Sequence, residues 1–143
     1  MTHYLRYILA SLILSTTTLH AQEHILRMRL NDAILYLGQD YTRTKDGPVT
    51  KIYYGSMITN HPKVGRITEA DQYDFLDDVC EARHSYIPIA YKQKFIDYLN
   101  AEFGFGDHLW RGEHNTYIAI KDRDEGFELM VWTPTYEKML DNR

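Results

Sequence analysis

Residues 67–84 decide the fold and read ITEADQYDFLDDVCEARH. Thr68 directly precedes an acidic turn, and a threonine hydroxyl in that place can accept a hydrogen bond from an early backbone N–H of a helix. After it, Arg83 and a set of mostly apolar side chains recur at steps of three and four residues: Ala70, Tyr73, Leu76, Val79 and Cys80. This spacing predicts an amphipathic helix that runs to about residue 83, with these side chains facing the core.

The other side of this predicted helix is acidic and carries Asp74, Asp78 and Glu81. Carboxylates in the second half of a helix are disfavoured by its carbonyl end, so these side chains need cations nearby. One interpretation is an ordinary solvated face, which is what most runs of charge are. The other is a docking face for a basic partner, and we carry both interpretations forward.

A second helix is predicted to begin at Pro88, a residue suited to the first turn, and to end before Gly104. Residues 116–120 and 127–133 alternate as strands around the polar turn 121–126, which predicts a hairpin. A strand over residues 49–58 and a short terminal helix from Pro134, capped by Thr133, are also expected.

Residues 24–37 fit both a strand and a helical period, and we favour the helix because no turn residue interrupts the segment before Gly38. The expected fold class is therefore α+β. Two central amphipathic helices would pack on a small antiparallel sheet that includes the C-terminal hairpin.

The first 21 residues have the three parts of a secretory signal peptide. Arg6 supplies the basic start, residues 8–14 form an uncharged apolar run, and Ala21 provides a small residue at the cut. The alternative is a buried N-terminal helix. Cleavage after Ala21 predicts a periplasmic or secreted protein, and it leaves no integral membrane segment, since the apolar run is too short to span a bilayer.

The remaining residues, 22–143, are expected to form a single globular α+β domain, because the whole chain has 143 residues, of which 44% are apolar and 25% charged. The segment holds 15 basic and 20 acidic side chains, a net charge of −5. This balance argues against a nucleic-acid binder, which needs a basic face. Cys80 is the only cysteine, so neither an intrachain disulfide nor a cysteine-rich zinc site can form.

Two groups of residues have side chains of catalytic or metal-binding type. Cys80 and His84 are four residues apart on the predicted helix, as a nucleophile and its base or as two metal ligands would be. However, acids and the carbonyl end of the helix would raise the pKa of the thiol, so a buried packing cysteine is favoured.

The second group is the loop that holds His108, Glu113 and His114, which are possible zinc ligands although their spacing matches no known motif. The same loop contains Trp110 and Arg111, residue types in which binding energy concentrates. These two residues favour a recognition loop. Tyr41, Tyr53 and Tyr54 also cluster around the first strand, where they serve either core packing or a tyrosine-rich binding surface.

The function expected from these observations is an exported, non-enzymatic binding module of the inhibitor or immunity-protein kind, whose partner is a protein with basic character. No cofactor or metal is expected. The alternative is a small hydrolase or metal-dependent enzyme that uses Cys80 with His84, or the His108–His114 loop. A third interpretation is a structural component of an envelope assembly. The residues expected to contact the partner are Asp74, Asp78, Glu81, Trp110 and Arg111.

Overall fold

The computed structural model describes residues 25–143, and the predicted signal peptide lies outside them. Seven strands form one antiparallel sheet in the order β1-β2-β3-β4-β7-β6-β5. The strands are β1 Thr42–Asp46, β2 Val49–His61, β3 Gly65–Leu76, β4 Val79–Pro88, β5 Leu109–Arg111, β6 Tyr117–Arg123 and β7 Gly126–Trp132. The helices are α1 Leu30–Leu37, α2 Lys92–Phe103 and α3 Pro134–Asp141, with short 3-10 turns at Ile89–Tyr91 and Glu113–Asn115. None of the helices in residues 25–143 has the length and apolar character needed to cross a bilayer.

The helix predicted over residues 67–84 is wrong, because this stretch forms most of β3 and β4. A two-residue turn joins the strands, and both of its residues, Asp77 and Asp78, have positive φ angles of 50° and 69°. Two positive φ angles define a type I′ turn, whose twist matches that of an antiparallel pair, and aspartate tolerates this conformation better than most residues.

The predicted fold class is wrong for the same reason. The described chain is mostly β, a seven-strand sheet with three short helices, and does not have two central helices on a small sheet. The helical spacing was coincidental: β3 pairs with β2 on one side and with β4 on the other, and these ladders outweigh a local helical preference.

Several other predictions are confirmed. The strand beginning at Val49 is β2, the C-terminal hairpin is β6 with β7, and the helix that ends before Gly104 is α2. The predicted start of that helix is wrong, because Pro88 is the last residue of β4 and α2 begins at Lys92. Residues 30–37 form α1, as the helical alternative for that segment requires. Thr133 caps α3, since its hydroxyl oxygen accepts a hydrogen bond from the Tyr136 backbone N–H at 3.3 Å.

The two faces of the sheet differ in how they are covered. The core face packs against α1 and α2 and includes Tyr73, Phe75, Cys80, Phe95 and Leu99 in one buried cluster. On the other face, which we call the open face, α3 covers one end. The smaller cluster buried there contains Val49, Ala82, Trp132 and Tyr136. Successive side chains of each strand therefore point alternately to the core face, which helices cover, and to the open face, which is largely uncovered.

A bulge interrupts the pairing of β2 with β3. Tyr54 lies opposite Asp71 and Met57 opposite Glu69, so both Gly55 and Ser56 face the single residue Ala70. Such a bulge bends the strand and increases its twist. Beyond it, the β2–β3 hairpin continues past the end of β4, because the β3–β4 pairing stops at Ala70 and Tyr86.

The projecting end of this hairpin is fixed to α2 through His61. The imidazole is buried, and its ring centroid lies 5.1 Å from that of Phe95 and 4.9 Å from that of Tyr98. Its Nδ1 atom accepts a hydrogen bond from the Val64 backbone N–H at 3.2 Å. Burial, helped by the charge of Arg83, lowers the pKa of His61 to about 4, so the ring is neutral and can act as this acceptor.

Candidate functional site

The five residues predicted to contact a partner do not share one surface. Asp74 and Trp110 are buried, with 1% and 3% of their surface exposed, and Glu81 is buried against Thr133. Asp78 is exposed in the β3–β4 turn, and Arg111 is exposed on β5 with its guanidinium 4.0 Å from the centre of the Tyr117 ring. Because the acidic helix does not form, the acidic docking face that it would have carried does not form either.

Cys80 and His84 are not brought together as a nucleophile and its base. The Cys80 thiol is fully buried in the core-face cluster and donates to the Ala82 carbonyl oxygen at 3.7 Å. Burial and the nearby charge of Asp74 raise the pKa of this thiol well above its usual range. Both ring nitrogens of His84 are occupied by carboxylates. The thiol therefore stays protonated, and the imidazole has no nitrogen free to take its proton.

The loop that holds His108, Glu113 and His114 does not gather these side chains around one point. The backbone carbonyl of His108 accepts from Ile120 of β6, and that of His114 accepts from the Arg27 guanidinium at 2.9 Å. Within residues 25–143, no group of three or more His, Cys, Asp or Glu side chains is arranged to hold a metal ion.

A charged cluster on the open face ties three strands together. The His84 imidazole lies between two carboxylates, with Nε2 2.9 Å from Asp74 and Nδ1 2.6 Å from Glu128. The Tyr136 hydroxyl also donates to Asp74 at 2.6 Å, and Arg123 forms an ion pair with Glu128. We call His84, Asp74 and Glu128 the histidine cluster.

The electrostatics of the histidine cluster favour a charged imidazole. Burial opposes protonation of His84, but its hydrogen bonds to Asp74 and Glu128 outweigh this and raise its pKa to about 9. The hydrogen bond from His84 lowers the pKa of Glu128 in return. A protonated imidazole donates both N–H groups to these carboxylates, so the cluster links β3, β4 and β7 and is poorly suited to general-base catalysis or metal binding.

A second charged cluster lies on the core face, one residue away along β4. The Arg83 guanidinium is 3.1 Å from Asp71 and 3.3 Å from Glu69, and all three side chains are buried. Two carboxylates share one cation here. Burial raises the pKa of Glu69, and the neighbouring Asp71 charge adds to this effect, although Arg83 opposes it. We call Arg83, Asp71 and Glu69 the arginine cluster.

Two concave spaces lie at the β2 bulge. A cleft of about 570 Å³, which we call the tyrosine cleft, lies between the α1–β1 connection and the bulged part of β2. Its lining includes Tyr41, Tyr53 and Tyr54, and the Tyr54 hydroxyl donates to the Gly38 carbonyl oxygen at 2.8 Å. The sequence prediction that these tyrosines cluster is therefore correct, and Tyr53 remains 39% exposed.

A middle cavity of about 420 Å³ shares two lining residues, Gly55 and Ser56, with the tyrosine cleft. Its other walls include Thr68, Ala70 and Tyr86. Tyr86, Arg123 and Glu125 also line an acidic cleft of about 740 Å³, together with Asp122 and Asp124 on the β6–β7 hairpin. The middle cavity shares lining residues with each of the two clefts, and we call the three spaces together the groove.

The groove is suited to hold a ligand by contact and charge, because both tyrosines and carboxylates line it. Its charged lining residues are Asp40, Glu69, Asp122, Asp124, Glu125 and Arg123. Glu69 is paired with Arg83, Asp122 with Lys92 and Arg123 with Glu128, so the lining charges without an ion pair among residues 25–143 are Asp40, Asp124 and Glu125. Sequence reasoning missed the middle cavity and the acidic cleft, since their walls come from five strands that only the register brings together. The tyrosines around β2 were the one signal that pointed to the region.

No protein-family model, no curated protein and no solved structure matches this chain.

Proposed function

We propose that the protein is an exported, non-enzymatic binding module of the inhibitor or immunity-protein kind, and that it holds a protein partner in the groove. The observation that carries this proposal is that three concave spaces share lining residues from the β2 bulge to the β6–β7 turn, with tyrosines at the first and carboxylates at the last. Tyrosines are enriched in binding interfaces because they contribute a large, amphipathic contact area.

The charge of the groove favours a partner segment with basic residues. Asp124 and Glu125 are exposed at the β6–β7 turn, where no ion pair within residues 25–143 neutralises either of them. An acidic patch of this kind attracts cationic surfaces and orients their approach. The state of the predicted catalytic groups also supports binding over catalysis, since Cys80 is buried in the core and both ring nitrogens of His84 are hydrogen-bonded to carboxylates.

The experiment is affinity capture from periplasmic or culture extract with matched tyrosine variants. Tyr53→Ala and Tyr86→Ala each remove an aromatic wall of the groove, while Tyr36→Ala removes an exposed tyrosine of α1 outside it. The proposal expects one partner to be retained by the wild-type protein and by Tyr36→Ala and to be lost with both groove variants. Equal recovery with all four proteins, or no specific partner with any of them, contradicts it.

Export has its own measurement. The mass of the protein recovered from the periplasm or the medium should correspond to a chain that begins at Gln22. A cytosolic protein that still carries residues 1–21 would overturn this part of the proposal.

A further inference from the structure

The middle cavity lies beside a length of β3 that has only one strand partner. On one side, β3 pairs with β2 as far as the Gly65–His61 pair. On the other side, its pairing with β4 ends at Ala70 and Tyr86. Residues 65–69 therefore have no strand opposite them on the β4 side within the described chain, and a strand edge of this kind offers unpaired N–H and C=O groups.

The chain itself prevents β4 from covering this edge. If the register continued for two more residues, Pro88 would lie opposite Thr68, but proline has no N–H to donate. After Pro88 the chain leaves the sheet through the 3-10 turn Ile89–Tyr91 and enters α2. The unpaired edge thus arises because the last two residues of β4 pair only with β7 and not with β3.

Small residues keep the space next to this edge empty. Ala70 and Ser56 form part of its walls, and Gly126 lies where β7 passes β4. A Cβ atom added at Gly126 would lie 2.3 Å from the Ile87 carbonyl oxygen, so no larger residue fits without a shift of the backbone. The resulting volume of about 420 Å³ is within the range of ligand sites.

The edge is also rigid enough to act as a template. The buried His61 ring fixes the hairpin to α2, and Ile67 and Glu69 point into the protein with 2% and 4% of their surface exposed. Thr68, between them, is exposed towards the cavity. A strand that is held from one face and free along one edge can accept another strand without rearrangement.

We propose that an extended peptide segment of a protein partner adds to the sheet along residues 65–69 of β3, in line with β4. This inference rests on the proposed function and specifies how the groove recognises its partner. Main-chain hydrogen bonds to β3 supply affinity, and the middle cavity takes an apolar side chain between Tyr86 and Phe127. Exposed Asp124 and Glu125 of the adjoining acidic cleft select a basic residue at the end of the segment that lies near the β6–β7 turn.

The test uses a displayed library of random linear peptides selected on the full chain, followed by a matched pair of variants. Ala70→Phe fills the middle cavity, and Ala119→Phe places the same side chain on the same face of the sheet outside the groove. Both alanines are half-buried, so the two changes strain the sheet to a similar degree. Thermal unfolding of both variants establishes that each is folded before binding is measured.

The inference expects selected peptides that carry an apolar and a basic residue, and that bind Ala119→Phe as tightly as the wild-type protein. Ala70→Phe should weaken them at least tenfold. Methylation of single backbone nitrogens in the peptide should weaken binding at alternate positions, since only alternate N–H groups of an added strand point to its neighbour. Asp124→Asn together with Glu125→Gln should weaken only those peptides that carry the basic residue.

Three results would overturn the inference: a library that yields no binder, binders that Ala70→Phe does not weaken, and binders indifferent to backbone methylation. The proposed function fails in a different way. If the partner captured from extract is lost with Tyr53→Ala but retained by Ala70→Phe, the binding module stands and the strand addition does not.

Discussion

The arginine cluster and the histidine cluster lie on opposite faces of the same pair of strands, and their central residues, Arg83 and His84, are adjacent in sequence. The Arg83 side chain is 4% exposed and belongs to the interior under α2, whereas the His84 side chain is 12% exposed and faces outward near the groove. Arginine keeps its charge at every accessible pH, but the charge of histidine depends on pH. The comparison shows that one strand can carry a permanent charge in the interior and a pH-dependent charge at the surface, at neighbouring positions.

Removal of the interior cation should have the largest effect. Arg83→Met leaves Asp71 and Glu69 buried together without a counter-charge, and breaking a buried pair in this way costs about 3 to 5 kcal/mol of unfolding free energy. Urea denaturation at pH 7 measures it. The control is Arg111→Met, which removes an exposed arginine stacked on Tyr117 and should cost no more than about 1 kcal/mol. Equal losses for the two variants would show that the buried Arg83 charge stabilises the fold no more than an exposed arginine does.

The pH dependence of stability should distinguish the histidine cluster from the arginine cluster. The pKa of His84 is about 9 in the folded protein against 6.5 for a free imidazole, so its stabilisation is complete below pH 6.5 and is lost as the pH rises through 9. The difference corresponds to about 3 kcal/mol at most. The measurement is the unfolding free energy between pH 6 and pH 10, compared with that of His84→Gln.

The variant should be less stable than the wild-type protein at pH 6, and the two should converge above pH 9. His108→Gln, which changes an exposed histidine, should leave the wild-type profile unaltered. A constant difference in unfolding free energy between the wild-type protein and His84→Gln from pH 6 to pH 10 would mean that the imidazole is not held in its charged form.

The smallest effect is expected from Glu69→Gln, which makes the arginine cluster one cation against one carboxylate. Asp71 contacts the guanidinium through both oxygens, at 3.1 and 3.2 Å, so it can neutralise Arg83 alone. The amide keeps an oxygen for Thr59 and Arg83, and the cost should be below about 1 kcal/mol. Asp71→Asn is the matched change and should cost more. If urea denaturation showed a larger loss for Glu69→Gln than for Asp71→Asn, Glu69 would be the main partner of Arg83 instead.

These clusters also explain why residues 67–84 were misread from the sequence. In β3 the inward positions are Ile67, Glu69, Asp71 and Tyr73, so two carboxylates interrupt what would otherwise be a clear alternation of apolar and polar residues. Their counter-ion, Arg83, is 12 residues from Asp71 in the chain and meets it only across the strand pair. The turn at Asp77 and Asp78 contains neither glycine nor proline, so no breaker marked the end of β3.

Elsewhere the sequence was a better guide because the local signals agreed with the fold. In the C-terminal hairpin, Ile118 and Ile120 face Val131 and Leu129 across a polar turn, which preserves the period of two. Gly104 follows the last residue of α2, and Thr133 and Pro134 begin α3, each in its preferred place. The groove could be predicted only in part, since Tyr53 and Tyr54 are close in sequence whereas Ala70, Tyr86 and Gly126 meet only through the register of β3, β4 and β7.

The most direct test of the account is amide hydrogen exchange along β3, measured in the full chain alone and with a selected peptide. If residues 65–69 form a free binding edge, the alternate amides of this segment that point away from β2 should exchange readily in the free protein and slow at least tenfold in the complex, while β1 stays unchanged. Protection of these outward-pointing amides in the free protein, by its own N-terminal residues or by a second copy, would contradict the account. Protection by the peptide confined to α1 or β1 would contradict it as well.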